Sequence, residues 1–392
     1  MLKLPNLSKK SIQKAENTNS KSLDSLLAIS LGSYHLGCVM GTVEEGKIQI
    51  IGHGQTTIDS DDIISNLDKE EILQKIIEII EKAKSTSQYN TNKVIFGVPA
   101  KFLYSKTSTV RIKRKDPNKK ITKDEVDEIS KKIIQKAMQE VEEKSNNVGG
   151  LELLNSDTTF AKIDGYITKD LKGFRGSTVE ISTFMSFVEK KTLDNILQMA
   201  KKLKLKIITV VPSIYTTNKL LSFQELNNYL LVNVGGKSTT TAVIFAGEIN
   251  IISYFSLGYK SFVNYISKVA GVTESEVIEA IKENVINEKI NQSKNKIVNL
   301  WADSFKNSLG FIDSIKVYPE QILVYGLGSN LIENTEISDK LSQLKFKDVP
   351  TVKSLKISDL TNIVDHTQSI KSTSLIDSIG LLNFGFKIIN DG

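Results

Sequence analysis

The sequence predicts an α/β protein of two related halves, with a smaller α+β module set into the first half. Three observations carry that prediction. A pattern of apolar strand, glycine turn and second apolar strand occurs twice, about half the chain apart. The first copy is Leu27-Ala28-Ile29-Ser30-Leu31-Gly32-Ser33, running on through Leu36, Cys38 and Val39 to Gly41. The second is Leu231-Val232-Asn233-Val234-Gly235-Gly236-Lys237-Ser238, running on through Ala242, Val243 and Ile244 to Gly247. Strand-like and helix-like runs alternate from Leu26 onward, as a layered α/β chain requires. Between residues 100 and 187 that alternation breaks. Each repeated copy reads as a β-hairpin whose tight turn can offer backbone N–H groups to an anion.

Residues 1–22 are rich in Ser, Asn and Lys and read as a flexible basic tail. After the first hairpin, Lys47–Gly52 is a further strand. Asp68 with Glu71 three residues on has the form of a capping box. It opens a helix with Ile72, Leu73, Ile76, Ile77, Ile80 and Ala83 near one face. Val94–Val98 is a buried strand. In the module come strand-like runs near Thr107–Lys113, a basic turn at Arg114–Lys120, and a helix capped by Thr122 and Glu125. Val126, Ile129, Ile133, Ala137 and Val141 form that helix's apolar face. Strand-like Phe160–Ile167 and Thr178–Phe187 follow, separated by Lys169–Gly176. A helix at Leu193–Leu203 and a strand at Ile207–Val211 return to the α/β pattern. The second half opens at Tyr229. Ile249–Phe255 is a strand, Thr273–Asp313 is helical and charged, and Gln321–Tyr325 is a strand with a glycine turn after it.

The chain has 392 residues, enough for several domains, with 40% hydrophobic and 24% charged residues. No apolar run reaches membrane-span length, and residues 1–22 lack the apolar core of a secretory signal. A single cysteine, Cys38, excludes an internal disulfide and fits a reducing cytosol. His35, His53 and His366 are scattered, so no transition-metal site is indicated. The net charge of +6 is spread out, and no pattern of interleaved aromatic and basic residues points to nucleic acid. Gly235-Gly236-Lys237-Ser238 is not a P-loop, because the position five before Gly236 is Leu231.

The twin hairpins resemble the two phosphate motifs of the actin/Hsp70/sugar-kinase superfamily. The order of parts and several local segments are similar to the cell-division protein FtsA. They include His35–Gly41 with Ile50–Gly54, Ile163-Asp164-Gly165-Tyr166, Gly173-Phe174-Arg175-Gly176, Glu279-Ala280-Ile281-Lys282, Gly326-Leu327-Gly328-Ser329 and Ser374–Gly385. The resemblance covers Leu26 to Gly385. It implies a two-lobed fold of duplicated RNase H-like domains with an inserted SHS2-type α+β subdomain. The parts would be a tail at 1–22, the first lobe at 23–99 and 188–222, the insertion at 100–187, and the second lobe at 223–372. The last contains a helical subdomain at about 271–318, and 373–392 would be a helix closing the first lobe.

The resemblance also implies a nucleotide site. Gly32, Ser33, Gly235, Gly236, Lys237, Ser238 and Gly258 would line the phosphates. Glu279 and Lys282 would face the nucleoside, and Gly326, Gly328 and Ser329 the adenosine. The acids usual in the family are replaced by Ser30, Asn233 and Thr240, and a further one by Asn264. Mg²⁺ is held through carboxylates and water, so the expectation is weakened ATP binding, disfavoured Mg²⁺, no catalytic residue and no metal ligand. Asp24 and Glu248 remain as acids that could serve from elsewhere. The function implied is a cytoplasmic scaffold of the divisome, peripheral to the inner face of the membrane. It would act through protein contacts with the tubulin-like FtsZ and through filament formation. The pilus-assembly protein PilM is the nearest alternative, and an active ATPase or small-molecule kinase of the same fold is another. The sequence ends at Gly392, without the membrane helix usual in FtsA proteins.

Overall fold

Leu26–Leu31 (β1) is buried along its whole length, so both of its faces are covered and it sits inside a sheet. In the computed structural model the described residues are 25–391, apart from 86, 146–149, 169, 223–225, 284–286, 311, 313–314, 333–336 and 342–343. The expected tail at 1–22 and Asp24 lie outside them. The chain divides into two compact units, residues 103–193 and residues 25–102 with 194–392.

In the larger unit β1 pairs antiparallel with His35–Glu44 (β2), and β2 with Lys47–Thr57 (β3). The third strand runs on past Gly52. Glu70–Ser85 (α1) then leads to Lys93–Val98 (β4), which lies parallel to β1. The helix begins at Glu70, so its cap position falls at Lys69 rather than Asp68. Its buried face takes Ile79, while Ile77 is half-buried.

Leu103–Lys113 (β5), Lys123–Ser145 (α2), Leu151–Ile163 (β6), Tyr166–Thr168 (β7) and Thr178–Glu189 (β8) make up the smaller unit's elements. Their sheet order is β5-β8-β6-β7, all antiparallel. The helix buries Ile129, Ile133, Ala137 and Val141 against Ile163, Val179, Ile181 and Phe187. Thr122 Oγ1 accepts from the Glu125 N–H at 3.2 Å, so the expected cap forms. Two expectations fail here. The runs near Thr107–Lys113 are one strand, β5. The segment Phe160–Ile167 is not one strand but the two arms of a hairpin, with the turn at Asp164-Gly165.

Lys190–Lys202 (α3) precedes Lys206–Pro212 (β9), which adds parallel to β4. Ser213–Leu221 (α4), not anticipated from the sequence, follows Pro212 directly. Tyr229–Val234 (β10), Thr239–Phe245 (β11) and Glu248–Phe255 (β12) form the second antiparallel meander. Tyr259–Ala270 (α5), also unanticipated, Glu274–Glu283 (α6) and Glu288–Gly310 (α7) come next. Then follow Gln321–Tyr325 (β13), Ser329–Ile332 (α8), Ile337–Leu341 (α9) and Thr351–Ser354 (β14). Trp301 and Phe305 of α7 stack at 5.2 Å inside the second core.

Ile363–Asp365 (β15) pairs with β3, not with the second sheet. The first sheet therefore takes in a strand from the stretch assigned above to the second lobe. Its order is β15-β3-β2-β1-β4-β9, and that of the second is β12-β11-β10-β13-β14. The same plan stands in each: an antiparallel meander, then parallel strands beside its first member. Ile376–Asp391 (α10) packs on β1, β2 and β4 of the first sheet and on α4, and α4 in turn touches β10 and β12 of the second. These two helices are the joint between the lobes. Among the described residues no helix is long and apolar enough to cross a membrane.

Candidate functional site

The two repeated turns face each other across a cavity of about 90 Å³. Gly32, Ser33, Gly235, Gly236, Ser238 and Gly326 all line it, and so do Ser30, Asn233 and Thr240, the places where acids were expected and are missing. The strand registers make the halves equivalent. Ser30 lies opposite Gly37 and Gly97, while Asn233 lies opposite Thr240 and Tyr325.

Ser30 and Asn233 bond to consecutive residues of α10. The Ser30 and Ser378 hydroxyls are 2.9 Å apart. The Asn233 Nδ2 donates to Asp377 Oδ2 at 2.7 Å. Thr217 of α4 and Tyr325 of β13 donate to Asp377 Oδ1 at 2.8 and 2.6 Å. Asp377 thus gathers β10, β13 and α4 onto the first turn of α10, and it is half-buried with its open side in the cavity wall. Burial pushes its carboxyl above the usual carboxylate range, and the three donors oppose that rise. Burial beside the same carboxylate drives the Tyr325 phenol well up.

At the rim, Lys237 turns away from the cavity and bridges Asp59 and Asp61 at 2.5 and 2.6 Å. Lys260 of α5 also pairs with Asp59. Both aspartates are held low, first by their hydrogen bonds from Lys237. Their loop is tied to the first turn through Ile58 N to Tyr34 O and Ser60 N to Ser33 O, at 2.9 and 3.0 Å. A Cβ at Gly236 would overlap the Tyr34 side chain, so the two turns touch directly. The second turn also gives its carbonyls to α5. Tyr259 and Lys260 N–H groups donate to Gly235 O and Gly236 O at 2.9 and 2.8 Å. The helix N-terminus that could hold an anion is therefore occupied by protein oxygens in this arrangement. Gly258 caps that helix, with no room for a side chain against Gly235 and Ser238.

The expected nucleoside residues do not join the site. Glu279 and Lys282 are exposed on α6 and line no part of the cavity. Gly328 packs on Val234. Ser329 is buried and bonds Gly326 O at 2.8 Å. Of that turn Gly326 and Leu327 open onto the cavity, Gly326 with a φ of 98° where a side chain would strain the backbone. Glu248, weighed above as a substitute acid, pairs with Lys219 at 2.7 Å and lies away from the cavity. Asn264 bonds Glu274 at 3.1 Å.

Two features escaped the sequence reading. Asp377 is the acid of the cleft, and the Asp59–Asp62 run is the partner of Lys237. The acidic run was a visible signal, since four residues with three carboxylates invite a cation.

An ATP-sized ligand needs a pocket of several hundred cubic ångströms. The cavity of about 90 Å³ is small beside that, and its lining is that of a phosphate-sized site between the two turns. Asp377 is the one carboxylate among the described residues of the lining, and its oxygens are held by Thr217, Tyr325 and Asn233, so no chemical step is derived through a magnesium ion.

No protein-family description and no curated protein matches the chain. Solved structures do. A chain of a PilM–PilN type IV pilus biogenesis complex superposes with a TM-score of 0.68 at 12% identity, covering 92% of this chain and 98% of that one. The ethanolamine utilization protein EutJ from Carboxydothermus hydrogenoformans gives 0.50 at 12% identity, covering 92% and 90%. At these identities the likeness establishes the actin-like ATPase fold and nothing finer.

Proposed function

We propose that this chain is an actin-fold scaffold that works through protein contacts and does not turn over ATP. One observation carries the reading. The residues that replace the two strand acids, Ser30 and Asn233, are bonded to Ser378 and Asp377. The place of catalytic chemistry is a structural seam. Nucleotide enters by loosening the Lys237 bridge and is held by the glycine turns as a structural ligand, with little help from a metal. The partner is a protein of an envelope assembly of the pilus type. The likeness to the PilM chain, the best-superposing of the two structures described, supports that choice. A second reading, FtsA-like recruitment to FtsZ with filament formation, rests on the similarity of the segments Ile163–Tyr166 and Gly173–Gly176.

Calorimetric titration with ATP, with and without Mg²⁺, followed by a phosphate-release assay, tests the proposal. Weak binding with no release is the expected result. Magnesium-dependent turnover would overturn it. Binding to the C-terminal tail of FtsZ, together with pelleting on ultracentrifugation, would select the division reading over the pilus one.

A further inference from the structure

The smaller unit carries an apolar tip that its own core does not cover. Tyr166 and Ile167 are 81% and 77% exposed, and Phe174 is 53% exposed. Tyr166 and Ile167 are neighbours on β7, so their side chains leave opposite faces of the sheet. A hairpin lying over α2 would bury one of them. Both are bare, so the tip overhangs the core on its two sides.

The tip is rigid. The Asp164-Gly165 turn has φ values of 48° and 90°, the left-handed pair of a tight two-residue hairpin. Asp164 then accepts from Ser177 N, Ser177 Oγ and Thr178 N at 3.0, 2.6 and 2.7 Å. Those bonds tie the hairpin to the loop that carries Phe174. That loop is tied in turn to the basic turn, through Ile121 N to Phe174 O at 2.8 Å and Gly176 N to Pro117 O at 3.1 Å.

The basic turn and the loop it is tied to carry Lys113, Lys115, Lys119, Lys120, Lys172 and Arg175, all exposed. The acids among them are Asp164, whose carboxylate is already bonded to Ser177 and Thr178, and Asp116 and Asp170, which cap their own turns through Asn118 N and Lys172 N at 3.0 and 2.9 Å. Apolar groups projecting from a cationic collar are complementary to a bilayer with anionic headgroups. A flat protein partner, or a strand added along β7, would cover one face of the hairpin. A fluid interface covers both at once.

We propose that this tip seats on an anionic lipid surface, with Tyr166, Ile167 and Phe174 entering the headgroup layer and the lysine collar facing the lipid phosphates. The inference stands on the smaller unit alone and does not depend on what the cleft binds. It is tested by co-sedimentation of the full chain with vesicles of phosphatidylglycerol and phosphatidylcholine, against phosphatidylcholine alone. The expected result is binding to the anionic vesicles only, weakened by salt. It should fall about tenfold or more in Y166S/I167S and, separately, in K119E/K120E/K172E. Circular dichroism of the variants should be unchanged, since all five positions are exposed. No binding to anionic vesicles overturns the proposal. So does equal binding by the variants, which would move the contact to another part of the chain such as residues 1–22. Loss in the charge variant alone overturns the insertion of the apolar groups. Capture of polyglutamate in place of vesicles would assign the tip to an acidic protein segment.

Discussion

An aspartate at 233 would stand against the Asp377 carboxylate that the Asn233 amide now bonds at 2.7 Å. Two carboxylates at that distance cannot both stay ionised, and removing the donor also leaves a partly buried charge under-satisfied. Asn233→Asp should therefore lower stability near neutral pH by about 3 kcal/mol. The double variant N233D/D377N, which restores one acid and one amide, should recover most of that loss. Urea unfolding decides it, and a single variant as stable as the parent would show that the pin carries no strain. Asp377 was not legible as a site residue for a plain reason. An acid in the first turn of a helix is ordinarily read as a partner of the helix dipole. Its three donors lie on elements 52, 144 and 160 residues away.

Two elements are held by charge, with different consequences. The rim pairing of Lys237 and Lys260 with Asp59 and Asp61 is solvent-exposed on its acid side, and such pairs add little to stability. In D59N/D61N the melting temperature should hardly move, whereas hydrogen exchange at residues 32–34 and 235–238 should quicken and ATP affinity should rise. Unchanged exchange and affinity together would rule out the pairing as a restraint on the cleft. Arg114 in the smaller unit is a different case. Its guanidinium is buried, pairs with Glu125 at 2.7 Å and donates to Gly176 O at 3.0 Å. Glu125→Ala should cost about 2 kcal/mol, read as an earlier urea midpoint by tryptophan-independent circular dichroism. The sequence was readable for elements whose apolar period is regular, such as β10, β13 and α2. It was not for α4, where Ser213, Thr216, Thr217 and Asn218 are all buried. A short run of polar and β-branched residues has no helical signature, and tertiary packing overrides its propensity. The Asp164-Gly165 pair, by contrast, was a hairpin signal in plain view.

At the scale of the whole molecule, stability should depend on pH through groups of opposite sign. Burial holds His35 and His53 below the ordinary histidine value of 6.5, so the fold prefers them neutral. Their contribution is present above pH 6.5 and is lost as the pH falls through their folded values. Asp377 is raised above 3.8, so its contribution is complete below that pH and declines as the pH rises through its folded value. Thermal melts from pH 7.5 to 5 should therefore fall, and H35Q/H53Q should flatten the fall; a parent curve with no slope there would contradict the histidine assignment. One feature of the topology reaches beyond equilibrium. The first sheet begins at Leu26, yet its edge strand Ile363–Asp365 and its covering helix Ile376–Asp391 come after the whole second sheet. As the chain leaves the ribosome, β10 to β14 can pair and bury their core while the apolar faces of β1, β2 and β4 still wait for α10. The lobe made first is thus the lobe finished last, and it passes synthesis with the α10 face of its sheet bare, the interval in which a holding chaperone has a surface to grip.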